Sequence, residues 1–327
     1  MKVLVTGGTG FTGKALVRRL LDEGYEVVAL DYKEHLKTHE LREWGAEVII
    51  GSVTDKEVVK KVMKGVDIVQ HMAAAFRELN VPESFYYEVN VNGTRNVLEA
   101  AYDEGVKKFI YTSTCGVHGN IDNPPGDETA PIQPADYYQR TKYLAEPFVH
   151  EFNEKGMKTV ILRPAAIYGP GDPERFYLLF KRVKSGKFPM FGSGKTFYHP
   201  LYIDNLLDAY MATMEEGKGE GETYLIADEE YVEIEDLVKR IAQVMNVDLK
   251  IPHYPVGPLL VAAHVCEAIC KPLKIAPPIF PRRVDWFRQN RAFKIDKAKR
   301  ELGYNPKVPL DEGLKRTYEW YKQEGML

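Results

Sequence analysis

Cysteine is scarce: the 327-residue chain carries only Cys115, Cys266 and Cys270. Three thiols cannot all pair within one chain, and such low usage fits a reducing compartment, so free thiols and a cytoplasmic location are expected. An excess of positive charge is also absent. With a formal net charge of -3, the chain has no global positive field to draw a polyanion, and no nucleic-acid partner is expected. Long apolar runs are lacking too. The most apolar stretch, Gly257 to Cys270, is interrupted by His264 and Glu267, whereas a membrane helix needs about 20 apolar residues. No integral membrane span is expected, although this stretch could touch lipid or line a pocket. Lys2-Val-Leu-Val-Thr6 runs straight into glycines, so no export signal is read at the N-terminus. Repeats, low-complexity tracts and long charge blocks are missing. What remains is 44% hydrophobic and 28% charged residues, the balance of a soluble chain long enough to bury its own core.

Strand and helix signals alternate through the first half. Strands are read at Val3–Val5, Glu26–Leu30, Val48–Ile50, Ile68–Gln70, Lys108–Tyr111 and Thr159–Leu162. Between them lie helices at about Gly13–Glu23, ending near Trp44, ending near Lys64, at Asn90–Asp103, and around Tyr138–Lys142. Such alternation predicts an α/β fold with a doubly wound parallel sheet, the Rossmann arrangement. After Arg163, clustered Pro and Gly mark a less regular region. The expected division is a dinucleotide-binding domain over 1–165, with 199–227 returning to it, and a smaller, mainly C-terminal substrate domain from 166–198 and 228–327.

Thr6-Gly-Gly-Thr-Gly-Phe-Thr-Gly13 places Gly7, Gly10 and Gly13 between the first strand and the first helix. A pyrophosphate can approach only where side chains do not block the backbone, and the free N–H groups of a helix N-terminus hold its charge. Asp31 ends the second strand, where a carboxylate would bond the adenosine ribose hydroxyls and repel a ribose phosphate. NAD is therefore expected over NADP. Lys33 is the residue that speaks for the phosphate.

A Tyr-x-x-x-Lys pair sets a phenol and an ammonium on one helix face. A tyrosine with a pKa of about 10 serves as a base near neutrality only when positive charge lowers it. This spacing occurs at Tyr138/Lys142, Tyr177/Lys181 and Tyr318/Lys322. Only the first follows a strand-end hydroxyl cluster, Tyr111-Thr-Ser-Thr-Cys-Gly-Val-His-Gly119; the other two read as solvated helix faces.

Together with His71-Met-Ala-Ala-Ala75, Asn90-Val-Asn-Gly-Thr94, Leu162-Arg-Pro-Ala-Ala-Ile-Tyr-Gly-Pro170 and Leu302-Gly-Tyr-Asn-Pro306, these stretches identify the chain as resembling the extended short-chain dehydrogenase/reductase family over nearly its whole length. The resemblance implies Tyr138 as general acid/base, Lys142 as its electrostatic partner and ribose ligand, and Thr114 as the hydroxyl that orients the substrate oxygen. It further implies a cofactor lined by Gly7, Gly10, Phe11, Thr12, Gly13 and Asp31, by Ser52 and Val53 at the adenine, and by Met72, Ala73 and Ala74. Ser113 would lie beside the nicotinamide, Asn90 would support the site, and Pro164 and Ala165 would meet the carboxamide. Family members pair through two helices each, so a homodimer is expected.

Cys115 and Gly116 follow Thr114 where the family's sugar dehydratases carry Asp-Glu, which favours oxidation, reduction or epimerisation over dehydration. Nucleotide-sugar members hold the diphosphate with an Asn where this chain has Ala166 and an Arg where it has Tyr198. Losing both anchors forfeits charge-assisted hydrogen bonds of roughly 1.5–3 kcal/mol each. Arg282 and Arg283 are the possible substitutes. Pro277-Pro-Ile-Phe-Pro-Arg-Arg-Val284 and Asn290-Arg-Ala-Phe293 resemble the 3β-hydroxysteroid and sterol dehydrogenase branch. A hydroxysteroid-like or other lipidic alcohol is the favoured substrate, ahead of a nucleotide-sugar 4-epimerase and of a non-catalytic dinucleotide sensor. Metal is not expected. His35 and His39 lack the Glu of a zinc-protease motif, and Gly192-Ser-Gly-Lys-Thr196 lacks the leading glycine and strand of a phosphate loop. His71 and His118 read as structural or pocket-lining residues, not metal ligands.

Overall fold

Short runs of branched apolar residues, each closed by glycine or charge, become the strands of one parallel sheet. The computed structural model describes residues 1–327 except Leu36, Arg77, Leu79, Asn80, Lys271, Lys274 and Ala276, and except the side chain of Arg282. The chain opens with β1 (Lys2–Thr6), α1 (Phe11–Asp22), β2 (Glu26–Asp31), α2 (His39–Glu43), β3 (Glu47–Ile50), α3 (Lys56–Met63) and β4 (Ile68–His71). Next come α4 (Glu83–Tyr87), a π-helical turn over Glu88–Asn92, α5 (Gly93–Glu104), β5 (Lys108–Thr112), a 3-10 turn over Cys115–His118, α6 (Tyr137–Glu154) and β6 (Thr159–Pro164). The middle holds β7 (Ala166–Tyr168), α7 (Arg175–Lys184), β8 (Met190–Phe191), β9 (Phe197–Tyr198), β10 (Pro200–Tyr202), α8 (Ile203–Met214) and β11 (Thr223–Ile226). Last are β12 (Val232–Glu233), α9 (Ile234–Met245), β13 (His253–Tyr254), α10 (Val256–Cys270), α11 (Pro281–Val284), α12 (Asp296–Leu302) and α13 (Leu310–Gln323).

The main sheet runs β11-β6-β5-β4-β1-β2-β3, all parallel. Order reverses between β1 and β4, so the carboxyl ends of these two strands frame the crevice where ligands bind in open α/β sheets. Thr6, at the end of β1, faces His71 at the end of β4, which in turn faces Tyr111 on β5. Both faces of the sheet are covered, leaving Val3, Leu4, Val5 and Val69 fully buried, as expected for parallel strands read as continuous apolar runs. The remaining strands form two-stranded pairs, β10 with β7, β12 with β9 and β13 with β8.

Local chemistry sets the helix ends that matter for the site. Asp136 caps α6 by accepting from Gln139 N at 2.8 Å, which starts the helix one residue before Tyr138. α5 ends at Gly105 with φ 74°, a left-handed position that glycine reaches without a steric penalty.

Two expectations are corrected. His35 and His39 do not share a helix, because α2 begins only at His39 and Thr38 bonds back to His35 O at 2.8 Å. Tyr177/Lys181 and Tyr318/Lys322 are not fully solvated faces: the tyrosine rings pack between α7 and α13, with Phe180 and Tyr318 centroids 6.1 Å apart. The apolar helix α10 is largely exposed. Ala263 is its one buried residue, while Val261, Val265 and Ile269 are 64%, 53% and 59% exposed. Among the described residues no helix is long and apolar enough to cross a membrane.

Candidate active site

The corner between β1 and α1 is built so that backbone meets backbone. Gly7 has φ 73° and donates to Leu30 O at 2.7 Å. A Cβ on Gly13 would lie 2.0 Å from Gly7 O, so no side chain fits there. Gly10 precedes the first turn of α1 and accepts from Lys14 N at 2.8 Å; Phe11 and Thr12 start the helix partly exposed beside it. Asp31 is buried at the end of β2, where one carboxylate oxygen accepts from Thr9 N and Thr9 Oγ1 at 3.1 and 2.8 Å, and the other from Tyr32 N at 2.8 Å. It thereby ties the glycine loop to β2. Lys33 lies over the Tyr32 ring at 4.7 Å, and that phenol donates to Glu78 at 2.9 Å.

The exit from β4 closes over the same crevice. Thr6 Oγ1 accepts from Met72 N and Ala73 N at 3.2 and 3.1 Å and meets His71 Nδ1 at 2.7 Å, while His71 Nε2 meets Thr94 Oγ1 at 2.9 Å. Burial, with the charge of Lys142 adding, holds His71 well below the usual histidine range; it is a structural residue, as expected. Ala74 follows in the same partly exposed loop. Ser52 Oγ bonds Thr54 Oγ1 at 2.8 Å, and Val53 packs in the core against Gly93.

Lys142 is the most unusual residue of the site. It is 1% exposed, its Nζ has no hydrogen-bond partner, and it lies 4.2 Å from the centre of the Tyr111 ring. Burial pulls its ammonium down to about 7, with Glu146 drawing it part of the way back. A buried donor without an acceptor is expensive, and an acceptor set against it restores the charged form. The ribose hydroxyls of a dinucleotide are such acceptors, and the glycine corner offers the pyrophosphate a matching cradle; the residues present fit the cofactor. One turn earlier on α6, Tyr138 packs edge-on against Phe76 with centroids 4.8 Å apart. Thr114 Oγ1 accepts from Gly116 N at 3.1 Å at the mouth of β5.

Asn90 lies in the π-helical turn. Its Oδ1 accepts from Ala75 N at 2.7 Å, and its Nδ2 donates to Ala75 O and to Thr141 Oγ1 at 3.2 and 2.9 Å. The amide is thus consumed by the β4 loop and α6. It ties the two together and so fixes their spacing. Such turns concentrate at functional sites because one extra residue re-aims a side chain.

Ser113 directly follows β5. Its Oγ donates to Glu146 at 2.6 Å, turning inward. Glu146 forms a two-point pair with Arg163, and Arg163 Nη1 meets His118 Nε2 at 3.0 Å. Neither member of the pair was singled out from sequence. The signals were there: Glu146 follows Tyr138 and Lys142 at i+8 and i+4 on one helix face, and Arg163 sits inside the Leu162-Arg-Pro stretch.

On the substrate side, Pro164 ends β6, Ala165 N donates to Ile226 O at 2.8 Å and Ala166 N to His199 O at 3.1 Å. Tyr198, the expected site of a lost anion anchor, is 2% exposed and accepts from Arg175 Nη1 at 3.1 Å. Its role is to hold an arginine that sequence reasoning missed. Arg283 is exposed, donates to Pro278 O at 2.8 Å and stacks over Phe280, so its own loop takes it up. Arg282 lies outside the described side chains. Among the described residues no cluster of metal ligands occurs.

Residues 4–255 match the 3-beta hydroxysteroid dehydrogenase/isomerase family. The chain is 32% identical to the 3-beta-hydroxysteroid dehydrogenase of Mycolicibacterium neoaurum over 98% of its own length and 91% of that protein. It is 31% identical to the 2-alkyl-3-oxoalkanoate reductase of Stenotrophomonas maltophilia over 97% and 98%. In three dimensions it resembles the UDP-glucuronic acid 4-epimerase of Bacillus cereus, solved with UDP-glucuronic acid and NAD, with a TM-score of 0.79 and 25% identity over 99% of this chain and 100% of that one. The chain belongs to the 3-beta hydroxysteroid dehydrogenase/isomerase family, NAD-dependent enzymes of the extended short-chain dehydrogenase/reductase type.

Proposed function

We propose that this enzyme interconverts a secondary alcohol and its ketone, with a hydroxysteroid-like or other lipidic alcohol as substrate. The observation that carries this reading is the sealed, acceptor-less Lys142 ammonium one helical turn from Tyr138. When bound, the nicotinamide supplies the acceptor, or the donor, of a hydride. Tyr138 takes the hydroxyl proton as the carbinol C–H bond is broken, leaving the ketone, and returns it in the reverse direction. Lys142 favours the phenolate by its charge, and Thr114 orients the substrate oxygen. The glycine loop, Asp31, Ser52, Val53, Met72, Ala73, Ala74, Pro164 and Ala165 line the cofactor. The substrate is held by residues drawn from 166–198 and 228–327, and the working unit is a homodimer. The test is the reduction of NAD at 340 nm across a panel of 3β-hydroxysteroids and long-chain secondary alcohols. Turnover that Tyr138→Phe abolishes is expected; full turnover in that variant overturns the mechanism.

A second reading, a nucleotide-sugar 4-epimerase, is favoured by the likeness to the UDP-glucuronic acid 4-epimerase. Tight binding of UDP, dTDP or GDP to the NAD-loaded protein would place it first.

A further inference from the structure

The stretch after α11 runs as a spacer between two parts of the site. Ile121 N donates to Asn290 O at 2.9 Å, Arg291 N to Phe197 O at 2.9 Å, Gly126 N to Ala292 O at 2.9 Å and Phe293 N to His199 Nδ1 at 3.2 Å. Arg291 is therefore fixed between the loop that follows Thr114 and the strand that carries Tyr198. Cys115, the residue after Thr114, packs in one apolar cluster with Phe293 and Ala165, so this spacer borders the substrate side of the catalytic hydroxyl.

Two arginines are tied to β9 here, Arg175 through the Tyr198 hydroxyl and Arg291 through its backbone to Phe197. Arg175 reaches in from the start of α7 and is held by the Tyr198 phenol. Arg291 donates through Nη2 to Gln289 at 2.7 Å, and its Nε is sealed from solvent without a partner. Neither arginine is ion-paired among the described residues. The carboxylates whose charges reach them, Asp172 and Asp136, are engaged in capping: Asp172 accepts from Glu174 N and Phe176 N, and Asp136 from Gln139 N. Burial raises the Cys115 thiol to about 11 although Arg291 and Arg175 draw it down, and Arg291 feels the like charge of Arg175. Two half-buried cations with no ion-paired carboxylate among the described residues are costly, and an oxyanion between them relieves both the repulsion and the unmet donor.

We infer that Arg175 and Arg291 form an oxyanion subsite beside Thr114, and that the substrate is a hydroxy or oxo acid, its carboxylate or phosphate held there. The inference rests on the alcohol–ketone reading and narrows its substrate class. It also reverses the expectation that this chain lacks anion anchors: Tyr198 stands where an arginine was missed and presents another one.

The experiment is calorimetric titration of the NAD-loaded protein with 3-oxododecanoate, its methyl ester and UDP. The same titrations are run on R175Q, R291Q and R291K. The acid is expected to bind at least about tenfold more tightly than the ester, each Gln variant to lose about tenfold or more, and R291K to recover part of the loss. UDP binding with the same dependence on both arginines assigns the oxyanion to a diphosphate instead of a carboxylate. Absence of binding by either anion, or binding by both Gln variants within about threefold of the unaltered protein, overturns the subsite. If a variant fails to fold, the acid and ester on the unaltered protein decide: equal affinity overturns it. Because the readout is binding, it separates from the proposed reaction. Arginine-dependent binding without hydride transfer would overturn the reaction and leave the subsite standing.

Discussion

Arg163 is buried and Arg291 is half-buried with its Nε sealed, yet the molecule treats them in opposite ways. Arg163 meets a two-point carboxylate in Glu146, a ring nitrogen in His118 and, through Glu146, the hydroxyl of Ser113. Arg291 meets one amide oxygen and keeps a buried Nε unbonded. The first region is a closed account of charge, completed by the fold itself. The second is open, and so is Lys142 on the cofactor side. A group neutralised from within fixes geometry; a group left without a partner is available to whatever enters.

Removing chemistry without disturbing either region gives the largest effect. Tyr138→Phe is expected to lower turnover by about 10²–10⁴-fold while NAD affinity, followed by fluorescence titration, stays the same. Next comes the closed region: Glu146→Gln leaves Arg163 buried without its counter-ion and is expected to cost about 3–5 kcal/mol in urea unfolding. Arg291→Gln, tested alongside, should leave stability unchanged or raise it; equal losses in the two variants would erase the contrast. A smaller loss, about 1–3 kcal/mol, is expected for Asn90→Ala, which unties Ala75 from Thr141. Turnover should fall with it, and a variant as active and as stable as the parent would remove Asn90 from the site's support.

The gentlest test is pH. In the cofactor-free protein Lys142 holds its proton only up to about 7, whereas an unfolded lysine holds it to about 10.4. Between those values the unfolded state binds more protons, so stability contributed by this residue rises with pH across that window and is flat below it. Melting temperatures recorded from pH 6 to pH 10 should show this rise in the parent and lose it in Lys142→Met.

Much of the sheet and of the cofactor side was legible beforehand. The strand–helix alternation led to the parallel sheet because each strand buries both faces, and Gly7 and Gly13 announced a corner where Cβ atoms do not fit. Tyr138 and Lys142 were found through their context, not their spacing. What could not be read is what depends on distant chain segments meeting. Arg175 belongs to none of the recognised stretches, and Arg291 lay inside one without its purpose being visible, because the Arg175 side chain and the Arg291 backbone both find their partners on β9. Likewise Ser113 was assigned from its neighbours in sequence, while its hydroxyl answers to Glu146, 33 residues on.

The π-helical turn at Glu88–Asn92 acts as a length adjuster. A helix advances by about 100° per residue, so one residue gained or lost in this turn would swing everything beyond it around the axis. Thr94 would leave His71, and Asn90 would no longer face Ala75. The segment leading into α5 therefore has a fixed reading frame, and insertions or deletions should be accepted in the surface loops around it long before they are accepted here.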